Sequence, residues 1–211
     1  MSVVAIIPAY NEEKTIGGVL ETLKKVDLIN NIIVVSDGST DKTVEVAKKF
    51  EVDVLELKEN LGKGGALKAG IEKAKGKVVL FLDADLIGLK ENHVRNLILP
   101  VLDDEADMTV GIFDRGRVAT DLAQKIAPFL SGQRAVNRKV LNDISNLEIT
   151  RYGVEIALTK YVESSNLRVK KVVLKDLTHI MKEEKMGLLK GFTERMRMYM
   201  DIIKCLIKSS P

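Results

Sequence analysis

The sequence predicts an α/β domain: a mixed, mostly parallel sheet flanked by helices, followed by an amphipathic C-terminal helix. Three observations predict it. Apolar runs of strand length alternate with helix-period segments over the first 85 residues, which implies parallel strands with helices on both faces. Polar motifs follow the strands, at the edge where sheets of this kind bind ligands. From Leu189 to Leu206, apolar residues recur at steps of 3, 4, 3, 4 and 3, one stripe along a helix.

Each element follows from its local pattern. Val3 to Ile7 is an apolar run closed by Pro8 and reads as a buried strand. Glu12 to Val26 carries Ile16, Val19, Leu20 and Leu23 at helical spacing. Ile32 to Val35 is a second strand, ended by the turn-rich Ser36-Asp-Gly-Ser-Thr-Asp41. A helix runs to about Phe50, and Val52 to Leu57 is a third strand. Asn60 to Gly65 reads as a glycine-rich loop and Ala66 to Ala74 as a helix. Val78 to Leu82 is the most apolar strand and ends in Asp83-Ala-Asp85.

Beyond Asp85 the pattern loosens. His93 to Leu102 reads as a helix with His93 at the surface, and Asp107 to Ile112 as a strand. Phe113 to Thr120 is a charged loop, and Leu122–Phe129 and Ala135–Ile144 read as helical. On that reading Arg134 and Arg138 stand one turn apart, placed to clamp phosphate or to pair with nearby acids. Tyr152 to Val162 reads as a helix and Val169 to Leu174 as a strand, with His179 just past it. The closing stripe is Leu189, Phe192, Met196, Tyr199, Ile203 and Leu206, with Lys190, Arg195, Arg197 and Lys204 beside it. It suits packing on the domain, on a second subunit in a homodimer, or on anionic lipid.

Composition narrows the function. With 45% apolar and 30% charged residues, the 211-residue chain is ordinary globular material. A formal net charge of +3 is too weak to argue for nucleic acid as the main partner. The single cysteine, Cys205, excludes an intrachain disulfide. The start lacks the basic, apolar pattern of a signal peptide, and no stretch has the ~18–20 apolar residues that span a bilayer. The expectation is a cytoplasmic protein, with peripheral membrane contact as the other option.

Chemistry concentrates at Asp83 and Asp85. In continuous strand geometry both carboxylates share one face, where they repel unless a cation or proton intervenes. Mg²⁺ or Mn²⁺ resolves that conflict, taking oxygen ligands and substrate phosphates together. An isolated Asp-x-Asp is most often a solvated turn, but this one follows a buried strand and three other polar strand-end motifs. Asn60-Leu-Gly-Lys-Gly-Gly65 offers backbone amides and one cation to phosphate, without completing a nucleotide-hydrolase phosphate loop. Ser39 or Asp41 is placed to cap the helix that follows.

Read in order, Pro8-Ala-Tyr-Asn-Glu-Glu13, Val35-Ser-Asp-Gly-Ser-Thr-Asp41, Asn60-Leu-Gly-Lys-Gly64 and Phe81-Leu-Asp-Ala-Asp-Leu86 resemble the family 2 glycosyltransferases of the GT-A fold. The resemblance implies a nucleotide-binding half over residues 1–90, an acceptor half over 91–184, and the C-terminal helix over 185–211. It implies that Pro8, Ala9, Tyr10 and Glu12 line the base and ribose of a UDP- or GDP-sugar and that Asp37 approaches the base. Lys63 then sits near the diphosphate, Asp83 near the ribose and metal, and Asp85 holds the metal.

The second half resembles glucosyl-3-phosphoglycerate synthases, in Gly116-Arg-Val118, Pro128-Phe-Leu-Ser-Gly-Gln133 and Tyr152-Gly-Val-Glu155. That likeness implies His179 in the metal shell, Glu155 by the acceptor or reacting sugar, and Arg117 and Thr120, with Arg134, facing an acceptor phosphate. An alanine separates Val118 from Thr120, where that group has threonine directly after valine. The acceptor expected is a small phosphorylated acid such as 3-phosphoglycerate. Dolichyl- and polyprenyl-phosphate sugar transferases share the first four motifs, which makes a lipid phosphate the alternative. Family 2 enzymes invert the anomeric centre and the phosphoglycerate enzymes retain it, so both outcomes stay open. As standalone readings, His179 is a structural histidine and Glu155 a helix-start acid favoured by the dipole. Two further classes compete. A nucleotidyltransferase would carry a glycine-rich basic loop after the first strand, where this chain has Pro-Ala-Tyr-Asn-Glu-Glu. A non-catalytic binding protein would not need the acidic pair.

Overall fold

The apolar runs of the first half become strands and helix faces in the computed structural model, which describes residues 2–114, 131–144, 158, 161–162 and 165–179. Strands β1 (Val3–Ala9), β2 (Asn31–Ser36), β3 (Asp53–Glu56) and β4 (Val78–Phe81) run parallel. Helices α1 (Ile16–Lys24), α2 (Thr43–Lys48) and α3 (Gly62–Lys73) connect them. The chain continues through β5 (Leu86–Ile87), α4 (Glu91–Leu102), β6 (Met108–Asp114), β7 (Arg134–Asn137), α5 (Arg138–Ile144), β8 (Val169–Lys175) and β9 (Thr178–His179). Seven strands form one sheet in the order β3-β2-β1-β4-β7-β6-β8, and β5 with β9 forms a second, two-stranded sheet. Within the large sheet β7 runs antiparallel to both neighbours, and β8 is parallel to β6.

Alternation along β1 divides the core in two. Val3, Ala5, Ile7 and Ala9 point to one face, against Ile16, Val19, Leu20 and Leu23 of α1 and Val94, Leu97, Ile98 and Val101 of α4. Val4 and Ile6 point to the other, against Ala66 and Leu67 of α3 and Val140 and Leu141 of α5. Every one of these side chains is buried, which is the burial that drives an α/β sandwich together. Pro8 lies beyond the last β1–β4 pair, Ile6 with Phe81, where the ladder on that side has ended.

Several expectations are corrected. The glycines of Asn60–Gly65 do not stay in a loop: α3 begins at Gly62. Gly70 explains part of the glycine content, because a Cβ there would stand 2.5 Å from Ile6 Cγ2 and 3.2 Å from Val35 Cγ2. Residues 134–137 are a strand rather than the start of a helix, so Arg134 and Arg138 are not one helical turn apart. Arg138 instead caps the end of α3, donating to the carbonyls of Ile71 and Gly76, each at 3.2 Å, and to that of Ala74. His93 is not on the surface: it is 6% exposed, and its Nδ1 accepts the Lys90 N–H at 3.3 Å.

The chain divides into two compact units, Met1–Thr178 and His179–Pro211. The described residues belong to the first, apart from the backbone of His179. The predicted boundary at residue 184, the stripe over 185–211, Cys205, the helix at Leu122–Phe129 and most of Tyr152–Val162 lie outside the described residues.

Candidate active site

Four strand-end motifs and one turn meet in a continuous hydrogen-bonded network at the carboxyl ends of β1, β2 and β4. The loop after β1 is tied to the loop after β2. Asn11 Oδ1 accepts the Thr40 N–H at 2.8 Å, the Glu12 N–H donates to Thr43 Oγ1 at 2.7 Å, and the Glu13 N–H donates to Asp41 Oδ2 at 3.1 Å. Asp41 Oδ1 accepts the Thr43 N–H at 2.9 Å and also its hydroxyl, at the first residue of α2. Burial pushes the Asp41 carboxyl up, but the Thr43 hydroxyl and the Thr43 and Glu13 amides outweigh it, and the pKa lies below the ordinary 3.8.

Asp37 carries the network to α3. It is buried, its N–H donates to Ala9 O at 2.9 Å, and its Oδ1 accepts the Leu61 N–H at 2.7 Å. Gly38 makes the turn possible: its φ is +71°, and a Cβ there would stand 3.0 Å from Asn60 N and from Glu59 C. Lys63, in the first turn of α3, then reaches Asp83, with Nζ 2.5 Å from Oδ1.

Asp83 and Asp85 do not sit on a strand. β4 ends at Phe81, and the pair flanks buried Ala84 in the turn before β5, so strand alternation does not set their directions. A neighbour without a role in the sequence reading orders Asp83 instead. Gln133 Nε2 donates to Asp83 Oδ2 at 3.0 Å, and Gln133 Oε1 accepts the Asp83 N–H at 3.3 Å. Gly132 lies so close that a Cβ would be 2.6 Å from Lys63 Nζ and 2.8 Å from Asp83 Oδ2. The available signal is the Ser131-Gly-Gln133 triplet, followed by Arg134 and the apolar pair Ala135-Val136. It was hidden because a helix was read from Ala135 onward.

The other predicted residues are placed as follows. Pro8 and Ala9 end β1, and Tyr10 is 48% exposed just beyond it. Glu12 Oε2 accepts the Thr15 hydroxyl at 2.9 Å, at the entry to α1. Arg134 is 1% exposed on β7, with Nε donating to Ser131 O at 2.8 Å. Glu155, Arg117 and Thr120 lie outside the described residues, as does the side chain of His179. Among the described residues, no group of three or more His, Cys, Asp or Glu is placed to hold a metal ion. The Asp83–Asp85 turn supplies two carboxylates, of which Asp83 is ion-paired with Lys63.

The profile of glycosyl transferase family 2 matches residues 4–158, through all four motifs and the Gln133 turn. The chain belongs to glycosyl transferase family 2. It is a glycosyltransferase that takes its sugar from a nucleotide-sugar donor.

Crystal structures of glucosyl-3-phosphoglycerate synthase from Mycobacterium tuberculosis superpose well on this glycosyltransferase. The complex with phosphoglyceric acid has a TM-score of 0.72 at 30% identity, over 85% of this chain and 72% of that one. Another, with Mn²⁺, UDP-glucose and phosphoglyceric acid, has a TM-score of 0.71 at 30% identity, over 85% and 71%. The mixed sheet with flanking helices is the GT-A fold of these neighbours. An uncharacterized protein of Methanocaldococcus jannaschii is 34% identical over 199 residues, covering 82% of this chain and 80% of that protein. The dolichyl-phosphate beta-glucosyltransferase of Drosophila melanogaster is 44% identical over 96 residues, or 38% of this chain and 29% of that enzyme. Among the described residues no helix is long and apolar enough to cross a membrane.

Proposed function

We propose that this glycosyltransferase moves a hexose, glucose first among the candidates, from a UDP-sugar to a small phosphorylated acid of the 3-phosphoglycerate kind. The observation that carries the reading is the chain of Asn11–Thr40, Asp37–Leu61 and Lys63–Asp83 contacts, which gathers the four donor motifs at one end of the sheet. Support for the acceptor class comes from the mycobacterial synthase structures, which hold UDP-glucose with phosphoglyceric acid or glycerol 3-phosphate.

In this reading Pro8, Ala9, Tyr10 and Glu12 form the nucleoside wall, with Tyr10 exposed enough to lie against a base. Asp37 faces the base from below while holding the Leu61 amide. Lys63 and the N-terminal amides of α3 attract the diphosphate, because a helix N-terminus carries partial positive charge. Asp85, with Asp83 beside it, holds Mn²⁺ or Mg²⁺, a reading supported by neighbours crystallised with either ion. The bound ion supplies positive charge against the diphosphate that departs. His179 joins that shell. It follows Thr178, whose strand pairs with β5, and β5 begins directly after Asp85. Arg117 and Thr120 take the acceptor phosphate. Arg134 contributes by fixing the Ser131 carbonyl, since it is buried. Glu155 takes the acceptor proton or steadies positive charge on the sugar.

The test is a thermal-shift panel of UDP- and GDP-sugars with and without Mn²⁺, followed by transfer assays. A UDP-sugar with Mn²⁺ should raise the melting temperature, and 3-phosphoglycerate should accept the sugar. Asp85→Ala should lower kcat/KM about 10²–10³-fold, the scale for removing one group that stabilises developing charge. If no nucleotide sugar binds with metal present, the reading is lost. One observation favours a second acceptor class: the Drosophila dolichyl-phosphate enzyme is 44% identical over the 96 residues it shares with this chain. Transfer to dolichyl phosphate but not to 3-phosphoglycerate would select it.

A further inference from the structure

We infer that Gln133 is a positioning residue for the donor: it fixes the direction of the Asp83 carboxylate that the nucleotide sugar meets. This rests on the donor reading above and deepens it.

The grip is two-pointed. One end of the Gln133 amide donates to Asp83 Oδ2 at 3.0 Å, and the other accepts the Asp83 backbone N–H at 3.3 Å. Chemistry admits only this orientation of the amide. The backbone N–H needs an oxygen, and an ionised carboxylate needs a donor. Gln133 is 1% exposed and the Asp83 side chain 25% exposed, so water reaches these bonds only from the Asp83 side.

Gln133 is itself anchored from behind. Its carbonyl accepts the Gly111 N–H of β6 at 2.8 Å, and its own N–H donates to Ser131 Oγ at 3.3 Å. The force that sets Asp83 therefore comes from the start of β7, anchored on its neighbour β6, and not from the turn that carries Asp83. Both carboxylate oxygens are assigned, Oδ2 to Gln133 and Oδ1 to Lys63. The contact to Lys63 is made to a long, flexible side chain. Gly132 completes the floor, because any side chain there would enter the space held by Lys63 Nζ and the Asp83 oxygens. A two-point contact fixes a plane as well as a distance, which is what preorganised donor binding requires.

Gln133→Met keeps the length and bulk of the side chain and removes both hydrogen bonds. The probe is UDP in the presence of Mn²⁺, with binding measured by calorimetry. Gln133→Met should weaken UDP about tenfold, and KM for UDP-glucose should rise by a similar factor. Asp83→Asn should weaken UDP as well. The double variant should bind no more than twofold weaker than Asp83→Asn alone, because Gln133 acts through Asp83. A packing role alone would instead make the two losses multiply.

Gln133→Asn, one methylene too short to bridge both atoms, provides a second variant if Gln133→Met does not fold, and should lose UDP affinity too. Unchanged affinity in either folded variant, or losses that multiply in the pair, overturns the assignment while leaving the donor reading intact. Failure of the unaltered chain to bind UDP with Mn²⁺ removes both.

Discussion

His93 is an imidazole held where its charge is unfavourable. Burial, then the Lys90 ammonium, keeps its pKa below the ordinary 6.5, against the opposing pull of the Lys175 backbone and Asp176. The sign of the linkage follows directly. Below pH 6.5 the unfolded chain takes a proton that the folded chain refuses, so stability falls as pH drops from 7 toward the lower folded value. Chemical denaturation at pH 7 and pH 5 should show that loss. His93→Gln, which keeps an acceptor for the Lys90 N–H, should flatten it, and an unchanged slope would contradict the account. Asp41 answers in a lower window. Its folded pKa is depressed, so its contribution is present above 3.8 and disappears as pH falls through the folded value. Sequence showed Asp41 as a helix-capping candidate, because a capping acid acts within two residues. It could not show that His93 is buried, since its partners Lys175 and Asp176 are distant in the chain.

Glycine in α1 and α3 separates local propensity from tertiary contact. Gly18 has nothing within 4 Å of a virtual Cβ, whereas Gly70 would press on Ile6 and Val35 of the sheet. Gly18→Ala should therefore stabilise the domain by about 0.5–1 kcal/mol through helix propensity. Gly70→Ala gains the same term but overpacks the interface at a cost of about 1–3 kcal/mol, so a net loss is expected. Thermal melts of the two variants should move in opposite directions, and equal shifts would refute the packing argument. The same contrast explains why α3 was read partly as a loop. Three glycines within four positions look like a helix breaker, and the sheet contact that excludes larger residues at Gly70 leaves no local trace.

The whole sheet depends on β7. It is the only strand bonded to both β4 and β6 among the described residues, and Arg134, Ala135 and Val136 are all buried. Val136→Ala should cost about 2–3 kcal/mol. The loss should appear as one cooperative transition, because the strand belongs to both halves; two separated transitions would show that the halves melt independently. The parallel block was legible because strand, helix and strand are neighbours in the chain. β7 was not, because Val136, Val140 and Leu141 also satisfy helical spacing, and four residues are too few for alternation to outweigh it. The donor motifs were readable for the same reason as their strands, while the Gln133–Asp83 contact crosses fifty positions of chain. During synthesis this arrangement imposes an order. β7 emerges from the ribosome after β4 and β6, yet belongs between them, so the β4-β7-β6 pairing closes only after residue 137 has been made. A nascent chain stalled short of that point would display every donor motif and still lack the floor beneath Asp83. The hydrogen bonds that orient Asp83 therefore arrive with the residues leading into one short strand.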